Sequence, residues 1–262
     1  MVDLIEMVKK KRDFAGLPDS VVERALEITK EDLLDEERVK EARANLRKYY
    51  GVFLTNRVVK PKDIMDYDSV LLSHKSSLKR NYKEFYSKIF EDLIEGKVWS
   101  VVDLGCGVNG FSYPYLEKVF GRVRYVGVEA SSQLVNNTNR FFEFSGYGKE
   151  CEVVQGDLFD IHFSENILKS ESEAKGSGKK ARVVFLFQVI DALEGTRKNF
   201  SKEILSMLKK NCEYIVISMP CVSLSGKNLK AKRSWVFEFL KEEFEVVSEF
   251  EANGEKVFCL KC

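Results

Sequence analysis

Three glycines and three acids in this sequence have the types and spacing to hold a nucleoside-like ligand. Residues 101–112, VVDLGCGVNGFS, set Gly105, Gly107 and Gly110 in a G-x-G-x-x-G pattern after an apolar pair. Such glycines let the chain turn sharply and let a ligand touch the backbone. A dinucleotide would bring its pyrophosphate to the start of the next helix. Asp103, two residues before Gly105, would repel that pyrophosphate. S-adenosylmethionine has no phosphate but carries an ammonium and a sulfonium, and a carboxylate beside the turn suits that cation. A tight strand–helix turn without a ligand is the alternative reading of the same glycines. Ser112 is placed to cap the following helix, and Pro114 suits its first turn.

The next acid is Glu129 in Val126-Gly-Val-Glu-Ala130. An acid closing an apolar strand some ~20 residues past the glycine turn fits a carboxylate that accepts both ribose hydroxyls. The third acid, Asp157, lies in Val153-Val-Gln-Gly-Asp-Leu158. It is placed to accept from an adenine amino group while Leu158 packs the ring; an Asp capping the next helix is equally compatible with the pattern. Gln188, in the run 185–194 (FLFQVIDALE), is the polar residue facing the reactive end of such a cofactor, or else a strand-end amide that meets solvent. That strand end carries no Asp/Asn-Pro-Pro-aromatic signature, which amino-group methyltransferases use, and no Pro-Cys pair, whose absence argues against covalent cytosine chemistry there. Pro220-Cys221 follows the next strand instead.

These residues need a scaffold, and the chain after Gly96 supplies its grammar. Apolar runs at 99–104, 125–129, 152–155, 182–188 and 214–218 alternate with helix candidates at 113–120, 131–145, 158–168 and 196–210. That repetition predicts an α/β fold with a parallel sheet and right-handed crossovers. Runs at 244–250 and 256–260, with Asn253-Gly254 between them, predict a hairpin that sets an antiparallel strand into the sheet. Residues 1–95 read as helices: Val22, Ala25, Leu26 and Ile28 follow Pro18-Asp19-Ser20, and Leu78, Tyr82, Phe85, Tyr86, Ile89 and Leu93 share one side of 76–94. Only 52–54 there looks like a strand. The predicted division is a helical domain over 1–95 and a ligand-binding domain over 96–262. The polar stretch 164–180 (SENILKSESEAKGSGKK) reads as a mobile loop.

With 262 residues and 44% hydrophobic content, a full core can form. Lys+Arg 42 against Asp+Glu 41 gives a net charge of +1, so any nucleic-acid surface must be local. One such surface is the loop after the fifth strand, where Gly226, Lys227, Lys230, Lys232 and Arg233 precede Trp235. Basic residues beside an aromatic suit phosphate contacts and base stacking, although a solvated helix face has the same composition. Six scattered cysteines fit a reducing compartment, and Cys259-Leu-Lys-Cys262 lacks the second pair or the His that zinc would need. No apolar run has signal-peptide or membrane-spanning length. The expectation is a cytoplasmic protein, a monomer with no metal and no membrane.

At His74-Lys-Ser76-Ser77-Leu-Lys79-Arg80, set before the glycine turn, the sequence resembles the aminoglycoside-resistance 16S rRNA (guanine-N7) methyltransferases. The resemblance continues in order through D-L-G-C-G-V-N, V-E-A, G-D-L, F-x-F-Q-x-x-D-A-L-E and S-M-P-C-V-S-L-S-G. It implies a Rossmann-like S-adenosylmethionine-dependent sheet behind a helical RNA-recognition domain. By the same resemblance His74, Ser76, Arg80, Asn109 and Ala130 join the glycine turn in the cofactor site, with Arg80 on the cofactor carboxylate. Gly105 would flank the methionine part, and Glu129 and Asp157 would hold ribose and adenine. Ser218, Pro220, Ser223 and Gly226 match the loop near the target base, so Gln188, Ser218 and Pro220 are the candidate catalytic positions. Two positions depart from the family: Lys79 stands where Glu is usual, and Gln188 where Lys is common.

The implied reaction agrees with the residues. Guanine N7 carries a lone pair and no proton, so attack on a sulfonium methyl needs no general base, and orientation dominates. A base within RNA structure must be exposed first, which gives the helices and the basic loop a role. The implied partner is RNA, in the small ribosomal subunit. A transfer-RNA target, a small-molecule methyltransferase and a non-catalytic RNA-binding protein are the alternatives.

Overall fold

Short apolar runs that alternate sides every residue build the centre of this protein. Its computed structural model describes residues 2–30, 32–51, 55–75, 77–91, 93, 97–173, 180–222, 229 and 233–262. The helical first part comprises α1 (Val2–Lys9), α2 (Asp19–Glu27), α3 (Asp35–Leu46, continued by a π-turn over Arg47–Gly51), α4 (Asn56–Val59), α5 (Tyr67–Ser73) and α6 (Tyr82–Glu91). Then β1 (Lys97–Leu104), α7 (Tyr113–Phe120), β2 (Arg124–Glu129), α8 (Ser132–Phe144), β3 (Cys151–Gln155) and α9 (Ile161–Glu173) follow. The last part is β4 (Lys180–Phe187), α10 (Ile190–Thr196), α11 (Phe200–Leu208), β5 (Tyr214–Pro220), α12 (Ser234–Glu243), β6 (Glu245–Ala252) and β7 (Glu255–Lys261).

The strands form one sheet in the order β3-β2-β1-β4-β5-β7-β6. Pairings from β3 through β5 are parallel, and β7 runs antiparallel to both β5 and β6. The chain steps outward from β1 to β3, then returns to the other side of β1 with β4. The crevice between β1 and β4 is therefore the switch point at which open parallel sheets bind ligands. Alternation sorts the two faces: Val101, Tyr125, Val153, Val183, Phe185 and Val216 pack with α5 to α8. Val102, Val128, Val184, Leu186, Ile215 and Ile217 pack with α9 to α12 on the other.

The first helices divide between two cores. Tyr82, Phe85, Tyr86, Ile89 and Phe90 of α6 recur at helical spacing and are buried in the sheet's own core. By contrast, α1 to α3 enclose a separate apolar cluster around Val8, Phe14, Val22, Leu26 and Ala42. That cluster is joined to the sheet through polar contacts. Gly16 O accepts from Ser132 N at 3.0 Å and from Gln155 Nε2 at 2.7 Å. A Cβ on Gly16 would stand 2.4 Å from Ser132 Oγ, so any larger residue there would have to displace that hydroxyl.

Four local expectations are corrected. Residues 164–173, expected as loop, continue α9, because Ser164 and Leu168 are buried and Glu171 pairs with Arg124 at 3.2 Å; 174–179 and 52–54 lie outside the described residues. The helix expected over 196–210 begins only at Phe200, as α11, because the chain turns at Asn199, which is left-handed at φ 63° and donates its N–H to Glu194; α10 precedes it as a separate helix. Ile28 and Leu78 are exposed, since α2 ends at Glu27 and α6 begins only at Tyr82. Ser112 makes no side-chain cap; its Oγ donates to Asn109 O at 2.6 Å and also meets the Tyr86 hydroxyl.

Asn253-Gly254 does turn the β6–β7 hairpin, with φ 54° and 82°. A Cβ at Gly254 meets nothing within 4 Å, so Gly254→Ala isolates backbone strain. It should lower unfolding free energy by about 1 kcal/mol in urea titration. An unchanged midpoint would show that the turn does not enforce the positive φ.

Candidate functional site

The carboxyl ends of β1, β2 and β4 meet the loop after β3 and the α5–α6 connection around one cavity. Its wall includes Gly105, Gly107 and Asn109 after β1, Glu129 and Ala130 after β2, and Leu158 after β3. Gln188 after β4 and His74 and Arg80 from the α5–α6 connection complete that set. Strand order then fixes a sequence along the cavity. Apolar Leu158 and Phe159 stand at the β3 side, Glu129 next, the glycine turn in the centre, and Arg80 toward β5 and β7.

Backbone geometry explains the centre. Gly105 and Gly107 hold φ 74° and 53°, where side chains are strained. A Cβ on Gly105 would also lie 2.8 Å from Val189, and one on Gly107 would lie 3.7 Å from the His74 ring. Glu129 accepts from Gly107 N at 3.1 Å and Ser131 N at 2.8 Å, tying the β2 end to the turn. Burial raises its pKa.

Asp103 occupies a different place from the one its position in sequence predicts. It does not line the cavity; it is 1% exposed, beneath the turn. Its Oδ2 accepts from Asn109 Nδ2 at 2.6 Å and from the Tyr125 hydroxyl at 2.8 Å. Burial pushes its pKa up to about 6, against those two hydrogen bonds. Oδ1 is buried with no hydrogen-bond partner among the described residues. The carboxylate therefore shapes the turn, and it can reach a ligand only through its field or a bridging group.

Asp157 also lies off this cavity, in a neighbouring cleft. It accepts from Ser20 Oγ at 2.8 Å and from Arg24 Nη2 at 2.8 Å, both on α2. Its Oδ1 accepts from Phe159 N at 3.0 Å, the local turn contact that the sequence also allowed. Arg233 is not a surface cation: it is 5% exposed and binds both Asp191 oxygens and the Pro220 carbonyl. Trp235 is half-buried and packs on the sheet's second core. Ser76, Ser223, Gly226, Lys227, Lys230 and Lys232 lie outside the described residues.

Gln188 adopts φ 59°, an uncommon left-handed value for a side-chain-bearing residue, and its N–H donates to Ser218 O at 2.8 Å. Ser218 is fully buried, and its hydroxyl donates to Glu255 at 2.6 Å. Several wall residues escaped the sequence reading. Tyr49 and Tyr50 come from the end of α3, and Phe187 and Val189 flank Gln188. The adjacent tyrosines closing a charged helix were the available signal for the first pair. Glu255, which grips Arg80, carried none, because its partner is 175 residues away.

Cys259 is buried in the core and Cys262 is exposed, so C-x-x-C does not close on itself; Cys262 Sγ instead lies 3.7 Å from Cys212 Sγ. Residues three apart on a strand point to opposite faces. Cys221 does not line the cavity. Among the described residues no three His, Cys, Asp or Glu side chains gather as a metal site, and no helix is long and apolar enough to cross a membrane.

The strand order, the switch point and the glycine turn together define a Rossmann-like α/β fold. In particular, the chain superposes on the 16S rRNA methylase RmtB over 99% of its own length and 97% of that chain. The TM-score is 0.69 at 17% identity. The 16S rRNA methylase ArmA matches 75% of this chain and 90% of its own, with TM-score 0.53 and 21% identity. In sequence, the chain is 24% identical over 196 residues to the 16S rRNA (guanine(1405)-N(7))-methyltransferase of Proteus mirabilis. That match covers 72% of this chain and 63% of the relative, less than two thirds of its length. No protein-family model matches the chain.

His74 is 8% exposed, with Nδ1 3.1 Å from Ser77 Oγ, and burial followed by the nearby Arg80 charge pushes its pKa down to about 4. The folded protein therefore excludes a proton that the unfolded chain accepts, so stability falls as pH drops from about 6.5 toward 4. Asp103, with its pKa raised, works in the opposite direction. Comparison with His74→Gln isolates the histidine. The variant should gain up to about 3 kcal/mol relative to wild type between pH 7 and pH 4, read by denaturant unfolding. Parallel curves would mean that the ring is not held neutral.

Proposed function

We propose that the chain is an S-adenosylmethionine-dependent methyltransferase acting on guanine N7 in small-subunit 16S rRNA. The observation that carries this reading is the convergence of the His74–Arg80 segment with the glycine turn, Glu129 and Gln188 on one cavity at the switch point. The end-to-end likeness to RmtB and the sequence match to the Proteus mirabilis enzyme support the RNA target.

The residues present fit the cofactor. Leu158 and Phe159 offer an apolar slab for adenine, and Glu129 offers a carboxylate to ribose hydroxyls. Gly105 and Gly107 clear the centre, while Arg80 supplies a cation for the amino-acid carboxylate. When bound, S-adenosylmethionine supplies an electrophilic methyl group on a sulfonium. The chain's share of the reaction is orientation: Gln188, held in its left-handed turn and bonded to Ser218 O, stands where the target base would enter. N7 has no proton to remove, so no side chain is required as a base. The segment after Pro220 and the N-terminal helices are the parts of the chain we assign to RNA.

The test is incubation with labelled S-adenosylmethionine, with small ribosomal subunits and transfer RNA offered separately, followed by nucleoside mass spectrometry. Label should appear as 7-methylguanosine in 16S rRNA. A different methylated nucleoside would refute the N7 position, and label confined to transfer RNA would refute the ribosomal target. No incorporation into any RNA would refute the class. Glu129→Ala should weaken cofactor binding roughly tenfold or more in calorimetry, the loss expected for charge-assisted hydrogen bonds.

A further inference from the structure

Arg80, placed in the cavity wall, is gripped from behind by an acid at the far end of the chain. Glu255 opens β7 and is 3% exposed. Its Oε1 accepts from Arg80 Nε at 3.1 Å and Nη2 at 2.9 Å, and its Oε2 accepts from Nη2 at 2.7 Å. The Ser218 hydroxyl donates to Oε2 at 2.6 Å. The rings of Phe85 and Phe187 lie 4.4 and 5.0 Å from the guanidinium carbon, with Tyr82 at 5.4 Å. The carboxylate thus fixes the guanidinium in its plane, and the rings restrict it out of plane.

A buried ion pair is a poor way to stabilise a fold, because desolvating both charges offsets most of their attraction. Here the pair has a second feature: Glu255 occupies the Nε–Nη2 edge and leaves Nη1 outside its fork. We propose that Glu255 is a positioning residue for the cofactor, holding Arg80 so that Nη1 meets the α-carboxylate of its amino-acid end. The inference rests on the cofactor reading above. It also links two parts of the site, because Glu255 pairs with Pro220 across β5 and β7. The acid that sets Arg80 therefore sits directly beside the strand end that leads into the segment proposed to meet RNA.

The test compares two ligands by calorimetry: S-adenosylhomocysteine, and 5′-methylthioadenosine, which lacks the amino-acid carboxylate. Wild type should prefer the first. Glu255→Gln should weaken S-adenosylhomocysteine tenfold or more while moving methylthioadenosine by less than about threefold, and Glu255→Asp should recover part of the loss. Equal losses for both ligands, or no loss for either, would overturn the proposal. If Glu255→Gln does not fold, the paired Arg80→Met/Glu255→Met replacement keeps volume without charge. It should bind both ligands alike, and a retained preference for S-adenosylhomocysteine would overturn the proposal. Wild type binding neither ligand would refute the cofactor reading itself, which is a distinct result.

Discussion

The hydrogen bonds from Asn109 and Tyr125 onto the buried Asp103 carboxylate hold the centre of this structure together. They join the end of β1, the turn after it and the start of β2 around one acid. The Tyr86 hydroxyl, from α6, reaches the same group of residues through Ser112. With the turn pinned from below, its upper side is free to present backbone to the cavity. The Glu129 bond to Gly107 N then fixes the neighbouring strand end at the same level. A ligand placed there would meet a wall already set before binding, which is the form of preorganisation that lowers the cost of association.

Periodicity made the sheet legible. Runs such as Val183–Phe187 and Ile215–Ile217 are apolar throughout, as strands buried on both faces must be, and Asn253-Gly254 marked the hairpin through its left-handed preference. The polar stretch through Glu173 misled because its low complexity concealed two buried contacts, Leu168 in the core and Glu171 on Arg124. Helicity there is imposed by tertiary packing, which local composition does not record.

The site was legible where function is carried by local backbone and illegible where it depends on partners. Gly105, Gly107, Glu129 and Gln188 all reach the cavity, since strand ends and turns place them with little help from elsewhere. Asp103, Asp157 and Arg233 have the right chemistry in sequence but spend it on Asn109, on α2 and on Asp191. Those commitments arise from residues 6 to 137 positions away, a range that spacing patterns do not cover. The α-helical partner of Asp157 in particular has no signature of its own.

The α2 contact bears on how the protein could change. Ser20 and Arg24 hold Asp157, and Tyr49 donates to Gly195 O at 2.8 Å, so the first helices form part of the wall around the cavity. A chimera that exchanged those helices for another set would not be a modular graft. It would leave Asp157 without its cation and remove Tyr49 and Tyr50 from the cavity. The first helices and the cavity wall are in this sense inherited together, and a lineage altering one must repair the other.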